Sequence, residues 1–97
     1  MNLAKRQMKH LNLVISGKVQ GVSYRATTKA VADQLGIKGI IRNLEDKTVY
    51  IEAEGSPYSL DSFLEWCREG PDNAVVENII QSESELKNYR NFEILKK

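Results

Sequence analysis

The chain has 97 residues, enough for one domain and too few for a second core. It is 41% hydrophobic and 28% charged with a net charge of +1, so nothing global draws it to nucleic acid or an anionic membrane, and any preference for anions must be local. One cysteine, Cys67, excludes an internal disulfide and suits a reducing compartment, and one cysteine with one histidine argues against a zinc site.

Residues 1–9 are polar and basic, lack the apolar core of a signal peptide and read as a flexible tail. That leaves 10–97 as a single domain, with the cytoplasm as its expected location. No apolar run reaches the length of a membrane span. From Leu11, the alternation of Leu11, Leu13 and Ile15 with Asn12, Val14 and Ser16 predicts a strand with one apolar face. His10 precedes it and reads as a surface residue at the strand's start.

A glycine-bracketed loop follows, and helical spacing runs from about Val22 to Leu35. Tyr24, Thr28, Val31 and Leu35 share one helical face, Lys29 and Asp33 pair four apart on the outside, and Gly36 stands where a left-handed cap belongs. Ile37–Asn43 and Thr48–Glu54 predict two strands, joined as a hairpin by Leu44-Glu45-Asp46-Lys47. Ser56-Pro57 starts a second helix, a hydroxyl cap followed by proline in the first helical position. Leu60, Phe63, Leu64 and Cys67 form its apolar stripe, Trp66 and Tyr58 join its packing, and Gly70-Pro71 ends it. Val75–Gln81 predicts a further strand, Ser82–Asn91 a solvated loop, and Phe92–Leu95 a short final strand.

In this order, right-handed crossovers make the first two strands parallel and leave between them a slot that the third fills antiparallel. The expected class is α+β: a ferredoxin-like sandwich (βαββαβ). It has a mainly antiparallel sheet of four to five strands, the first and third central, and two helices on one face. The fold alone fixes no function.

The stretch from Ser16 to Arg25 carries the chemistry. Glycines at Gly17 and Gly21 let the backbone approach a ligand, and free N–H groups at a helix start carry the positive end of its dipole. On these residues alone two readings stay open: a tight turn beside a solvated arginine, or an anion site. The string has neither the Walker phosphate loop nor the dinucleotide fingerprint. Asn43 likewise reads either as strand-end turn chemistry or as an amide able to orient water. Lys18 and Arg42 read as solvated neighbours of the loop.

The two strings Gly17-Lys18-Val19-Gln20-Gly21-Val22-Ser23-Tyr24-Arg25 and Gly36-Ile37-Lys38-Gly39-Ile40-Ile41-Arg42-Asn43 resemble, together and in order, the signature of the acylphosphatase family. Ala32, Leu35, the run Ile51 to Gly55, Phe63 to Trp66 and Gly70-Pro71 extend the likeness over roughly Leu11 to Leu95. The resemblance implies an enzyme that hydrolyses the mixed anhydride of a carboxylic acid and phosphate, releasing carboxylate and inorganic phosphate without metal or cofactor. It implies that Arg25 binds the phosphoryl group and that Asn43 positions the attacking water. Backbone N–H groups of Lys18, Val19, Gln20, Gly21, Val22, Ser23 and Tyr24 would cradle phosphate oxygens. The family often carries glycine where Lys47 stands, an aromatic at Ile40 and bulkier residues at Ala26 and Thr27.

The expected partner is a small-molecule acyl phosphate, with no nucleic acid or membrane, and the expected state is a monomer. One rival is a non-catalytic ferredoxin-like module that binds an anion or regulates. Another is an RNA platform, but that needs aromatics on the third strand, where Val49-Tyr50-Ile51-Glu52 offers one beside an acid.

Overall fold

The computed structural model describes residues 7–96. Of the stretch expected as a tail, residues 1–6 lie outside the described residues, whereas Lys9 stands opposite Gly55 in the first strand. The elements are β1 (Lys9–Lys18), α1 (Tyr24–Leu35), β2 (Lys38–Asn43), β3 (Val49–Gly55), α2 (Pro57–Glu69), β4 (Val75–Ser84) and β5 (Phe92–Ile94). They build one sheet in the order β4-β1-β3-β2-β5. β3 lies antiparallel to both β1 and β2, and β5 runs parallel to β2. This is the ferredoxin-like sandwich, with β1 and β3 inside the sheet as the strand pattern requires.

The apolar alternation fixes the register. Leu11, Leu13 and Ile15 of β1 stand opposite Ala53, Ile51 and Val49 of β3, all buried in one core with Phe63, Leu60 and Cys67 of α2 and Tyr24 and Ala32 of α1. Each large side chain so buried stabilises by roughly 1.5–3 kcal/mol, against about 1 kcal/mol for a typical hydrogen bond. A slip of one residue would turn that whole row outward, so the core, not the ladder, decides the pairing.

Helix ends follow local chemistry. α1 starts at Tyr24, later than its spacing suggests, because Ser23 has φ 62° and cannot continue a helical turn. Gly36 caps its far end at φ 73°, donating to the carbonyls of Ala32 and Asp33. At α2 the Ser56 hydroxyl accepts the Ser59 N–H at 3.2 Å, with Pro57 next in line. In the hairpin turn Lys47 sits at φ 73°, a strained conformation for a residue with a Cβ.

The sheet face away from the helices departs from the sequence expectation. His10 lies inside β1, only 1% exposed. Its Nδ1 is 2.7 Å from Glu54 Oε2, and its Nε2 is 2.8 Å from Asn12 Oδ1 and 3.4 Å from Glu52 Oε1. The connector after β4 covers this cluster instead of standing free in solvent. The Lys87 and Tyr89 N–H groups donate to Glu54, and the Tyr89 hydroxyl and Lys87 Nζ donate to Glu52. His10 is buried because β1 begins earlier than its apolar pattern and because the connector folds over the second face. Tyr58 also departs: it is 83% exposed, while Phe63 and Trp66 pack as expected.

Burial pushes the Glu52 carboxyl up, but hydrogen bonds from Lys87, Tyr89 and Tyr50 outweigh it and hold it down at about 2. Burial also opposes the ionised form of Glu54, yet bonds from His10 and from the N–H groups of Lys87 and Tyr89 hold it below the ordinary carboxylate value. The stability these carboxylates contribute is present above the unfolded carboxyl range and is lost on acidification. The thermal midpoint is therefore expected to fall as pH drops from about 5 toward about 2. In thermal scans Glu52→Gln should lower the midpoint at neutral pH and flatten that fall. Lys47→Gly should raise stability by about 0.5–1 kcal/mol in denaturant titrations, because glycine accepts the left-handed turn.

Candidate active site

The loop after β1 is aimed by an irregularity in the sheet. The pairing of β1 with β4 shifts register between Ser16 and Gly17. Gly17 has φ 126°, and a Cβ there would meet the Val75 carbonyl oxygen at 2.1 Å, so only glycine lets the two backbones approach. Further on, Gly21 (φ 74°) and Ser23 (φ 62°) are both left-handed with Val22 between them. Such alternation turns successive N–H groups toward one side and makes a concavity that suits an anion. Ser23 makes no side-chain cap at the start of α1, so the N–H groups of the first turn keep no partner within the helix. Arg25 stands in that turn and pairs with no carboxylate among the described residues.

Asn43 ends β2, opposite Val49 of β3. Because β1 and β2 are parallel, Asn43 and the loop lie at the same edge of the sheet. One side chain joins them. Gln20 Nε2 donates to the Leu44 carbonyl and to the Thr48 carbonyl, each at 2.9 Å. Those carbonyls form the neck of the hairpin, where the Leu44 N–H also donates to Thr48 at 2.9 Å. A single amide thus ties the loop to the turn that carries Asn43.

The result is a cleft of about 200 Å³ lined by Val19, Gln20, Gly21, Ser23, Tyr24, Arg25 and Asn43, with Ala26 and Ile94 completing the wall. Lys18 is exposed at the end of β1 and Val22 packs against the core; neither lines the cleft. Arg42 stands over the Tyr50 ring, 5.5 Å from its centroid, and borders a neighbouring hollow with Asn43, Leu44 and Glu45. Asn43 Oδ1 is buried and accepts no hydrogen bond from any described residue. A buried carbonyl oxygen without a donor is rare and marks a place where a donor such as water belongs. Among the described residues no group of three or more His, Cys, Asp or Glu side chains could hold a metal ion.

Nearby ionisable groups are kept inert. The Tyr24 hydroxyl donates to the Cys67 carbonyl at 2.7 Å, and burial with the nearby Cys67 raises its pKa further. Burial pushes the Cys67 thiol up to about 12, so this cysteine is core and not a nucleophile. The sequence points to Gln20 only as a loop N–H and not to its side-chain clamp. Its partners are 24 and 28 residues away, so no local pattern announces it. Ile94 was equally hidden, since it reaches the cleft only through the pairing of β5 with β2.

Fold and cleft together define a ferredoxin-like α+β domain with a small cationic site at one sheet edge. The family model for acylphosphatase matches residues 11–94. An acylphosphatase of Marinobacter nauticus is 51% identical over 72 residues, 74% of this chain and 78% of that protein. The structure of an acylphosphatase from Coxiella burnetii superposes with a TM-score of 0.91 at 30% identity, covering 98% of this chain and 100% of that one. The crystal structure of acylphosphatase from Bacillus subtilis gives a TM-score of 0.88 at 32% identity over 90% and 98% of the two chains. The chain belongs to the acylphosphatase family, hydrolases that act on small-molecule acyl phosphates.

Removing the clamp should be costly. Gln20→Ala deletes two hydrogen bonds between loop and hairpin and should destabilise by about 1–2 kcal/mol in denaturant titration. Gln20→Glu should be worse than the alanine variant, because it sets a carboxylate against two carbonyl oxygens.

Proposed function

We propose that this chain hydrolyses the carboxyl–phosphate anhydride of an acyl phosphate in the cleft between Arg25 and Asn43. The observation that carries the reading is a cleft lined both by Arg25, which pairs with no carboxylate among the described residues, and by Asn43, whose buried Oδ1 has no donor among them, beside a helix start without a side-chain cap. The Arg25 guanidinium can grip two phosphoryl oxygens with parallel N–H bonds. N–H groups of the loop from Lys18 to Tyr24 take the remaining oxygens. Asn43 accepts a hydrogen bond from the attacking water and aims its lone pair at phosphorus. The water oxygen bonds to phosphorus, the phosphorus–acyl oxygen bond breaks, and the electron pair leaves on the carboxylate.

Such a transition state spreads charge over the equatorial oxygens, so positioning and charge compensation supply most of what is needed. The carboxylate leaves readily and needs no general acid. The water's proton passes to a phosphoryl oxygen, so no enzyme base is required either. No metal or cofactor has a role in these steps. The reading extends to a monomer in the cytoplasm that uses no nucleic acid or membrane partner. The near-neutral net charge supports it, as does the lack, among the described residues, of any helix long and apolar enough to cross a membrane.

Hydrolysis of acetyl phosphate in the presence of a chelator tests the reading. Chelator-resistant turnover is expected, with inorganic phosphate as a competitive product inhibitor. Arg25→Ala and Asn43→Ala should each lower kcat/KM by about 10²–10⁴ while leaving the fold intact. Turnover no faster than buffer would reject the enzyme, and phosphate binding without turnover would favour a non-catalytic anion-binding module.

A further inference from the structure

The polar cluster on the far face of the sheet takes no part in that chemistry, yet it holds the piece of chain that becomes one wall of the cleft. We propose that Glu54, oriented by His10, is a positioning residue for the active site. By anchoring the connector between β4 and β5 it sets the place of β5, and through β5 the place of Ile94 beside Arg25 and Asn43.

Glu54 is 2% exposed, and both its oxygens are used. Oε2 takes the Lys87 N–H and faces His10 Nδ1 at 2.7 Å, while Oε1 takes the Tyr89 N–H at 3.0 Å. A buried carboxylate holding two backbone N–H groups of one segment fixes that segment's path, and charge makes each bond stronger than a neutral one. Glu52 reinforces the hold through the Tyr89 hydroxyl at 2.7 Å and Lys87 Nζ at 2.8 Å. The Tyr89 ring lies over His10 with centroids 6.3 Å apart. Each carboxylate oxygen of the cluster is occupied from within the chain, as an anchor requires.

What it anchors leads directly into β5. The Gly39 N–H donates to Asn91 at 2.9 Å just before that strand, and the Leu95 N–H donates to Ile41 at 2.8 Å just after it. β5 has only three residues, too few to hold a register unaided, and its last residue is Ile94. The path from Glu54 to the cleft is therefore a short, continuously bonded length of backbone.

The kinetic part of this inference rests on the hydrolase reading; amide exchange tests the rest independently. Glu54→Gln keeps the side chain's size but turns an amide N–H₂ toward existing donors. Glu54→Gln, Ile94→Ala and the double variant form a cycle measured with acetyl phosphate. Glu54→Gln should raise KM about fivefold with kcat within about twofold, and the increase should vanish in the Ile94→Ala background. Exchange at the Gly39 and Leu95 amides should quicken. An anchor with only a structural role would lower the thermal midpoint and leave KM unchanged, or would add its effect equally in both backgrounds; either result overturns the proposal. If Glu54→Gln does not fold, the same criteria apply to Glu54→Asp, which keeps the charge but draws the carboxylate back from the Lys87 and Tyr89 N–H groups. Turnover that survives Arg25→Ala counts against the hydrolase site alone, and unchanged exchange at Leu95 counts against the anchor alone.

Discussion

Two hydrogen bonds from one amide determine how the halves of the site meet. The loop follows β1 and Asn43 ends β2, and β3 lies between those strands. Strand spacing in a sheet therefore separates the two attachments by about 10 Å. Gln20 spans the gap with a donor to Leu44 and a donor to Thr48. Topology brings both parts to one edge; the clamp sets their distance. Under the proposed mechanism, which works by positioning, that distance matters more than the acidity of any side chain.

Polar groups are satisfied unevenly: among the described residues the buried Arg42 Nε and Asn43 Oδ1 have no hydrogen-bond partner. On the far face, two buried glutamates are fully engaged by a histidine, two tyrosines, a lysine and two backbone N–H groups. At the cleft, among the described residues, the helix start has no side-chain cap, Arg25 has no carboxylate and Asn43 Oδ1 has no donor. Left-handed non-glycine backbone occurs in both regions, at Ser23 beside Arg25 and at Asn88 in the far-face connector. Each open group at the cleft is a cost that a bound phosphoryl group and its water would offset. Stability comes from the core and the far face, and the site can remain poised because they supply it.

Chain order, strand alternation, the glycine-bracketed loop, Arg25, Asn43, the Gly36 cap and the Ser56-Pro57 helix start were all readable in the sequence, because each is local. Side-chain periods of 2 and 3.6, cap chemistry and glycine's freedom act between residues a few positions apart. Even strand order followed, since the handedness of crossovers leaves β3 one slot. The family signature lies on the same local features.

Long-range packing decided the rest. His10 looked like an exposed strand end, and became a buried partner of Glu54, 44 residues away, only when the connector closed over the sheet's second face. The part of the expected solvated loop that carries Lys87 and Tyr89 reads as free because its backbone N–H groups, not its side-chain pattern, carry two of its anchors. Gln20 and Ile94 reached the cleft through contacts that no short window contains. The sequence by itself determined which elements form and, through the family signature, which two residues the proposed chemistry would use. Only the tertiary structure decided what holds those residues at working distance, because that depends on which face of each strand is covered and by what.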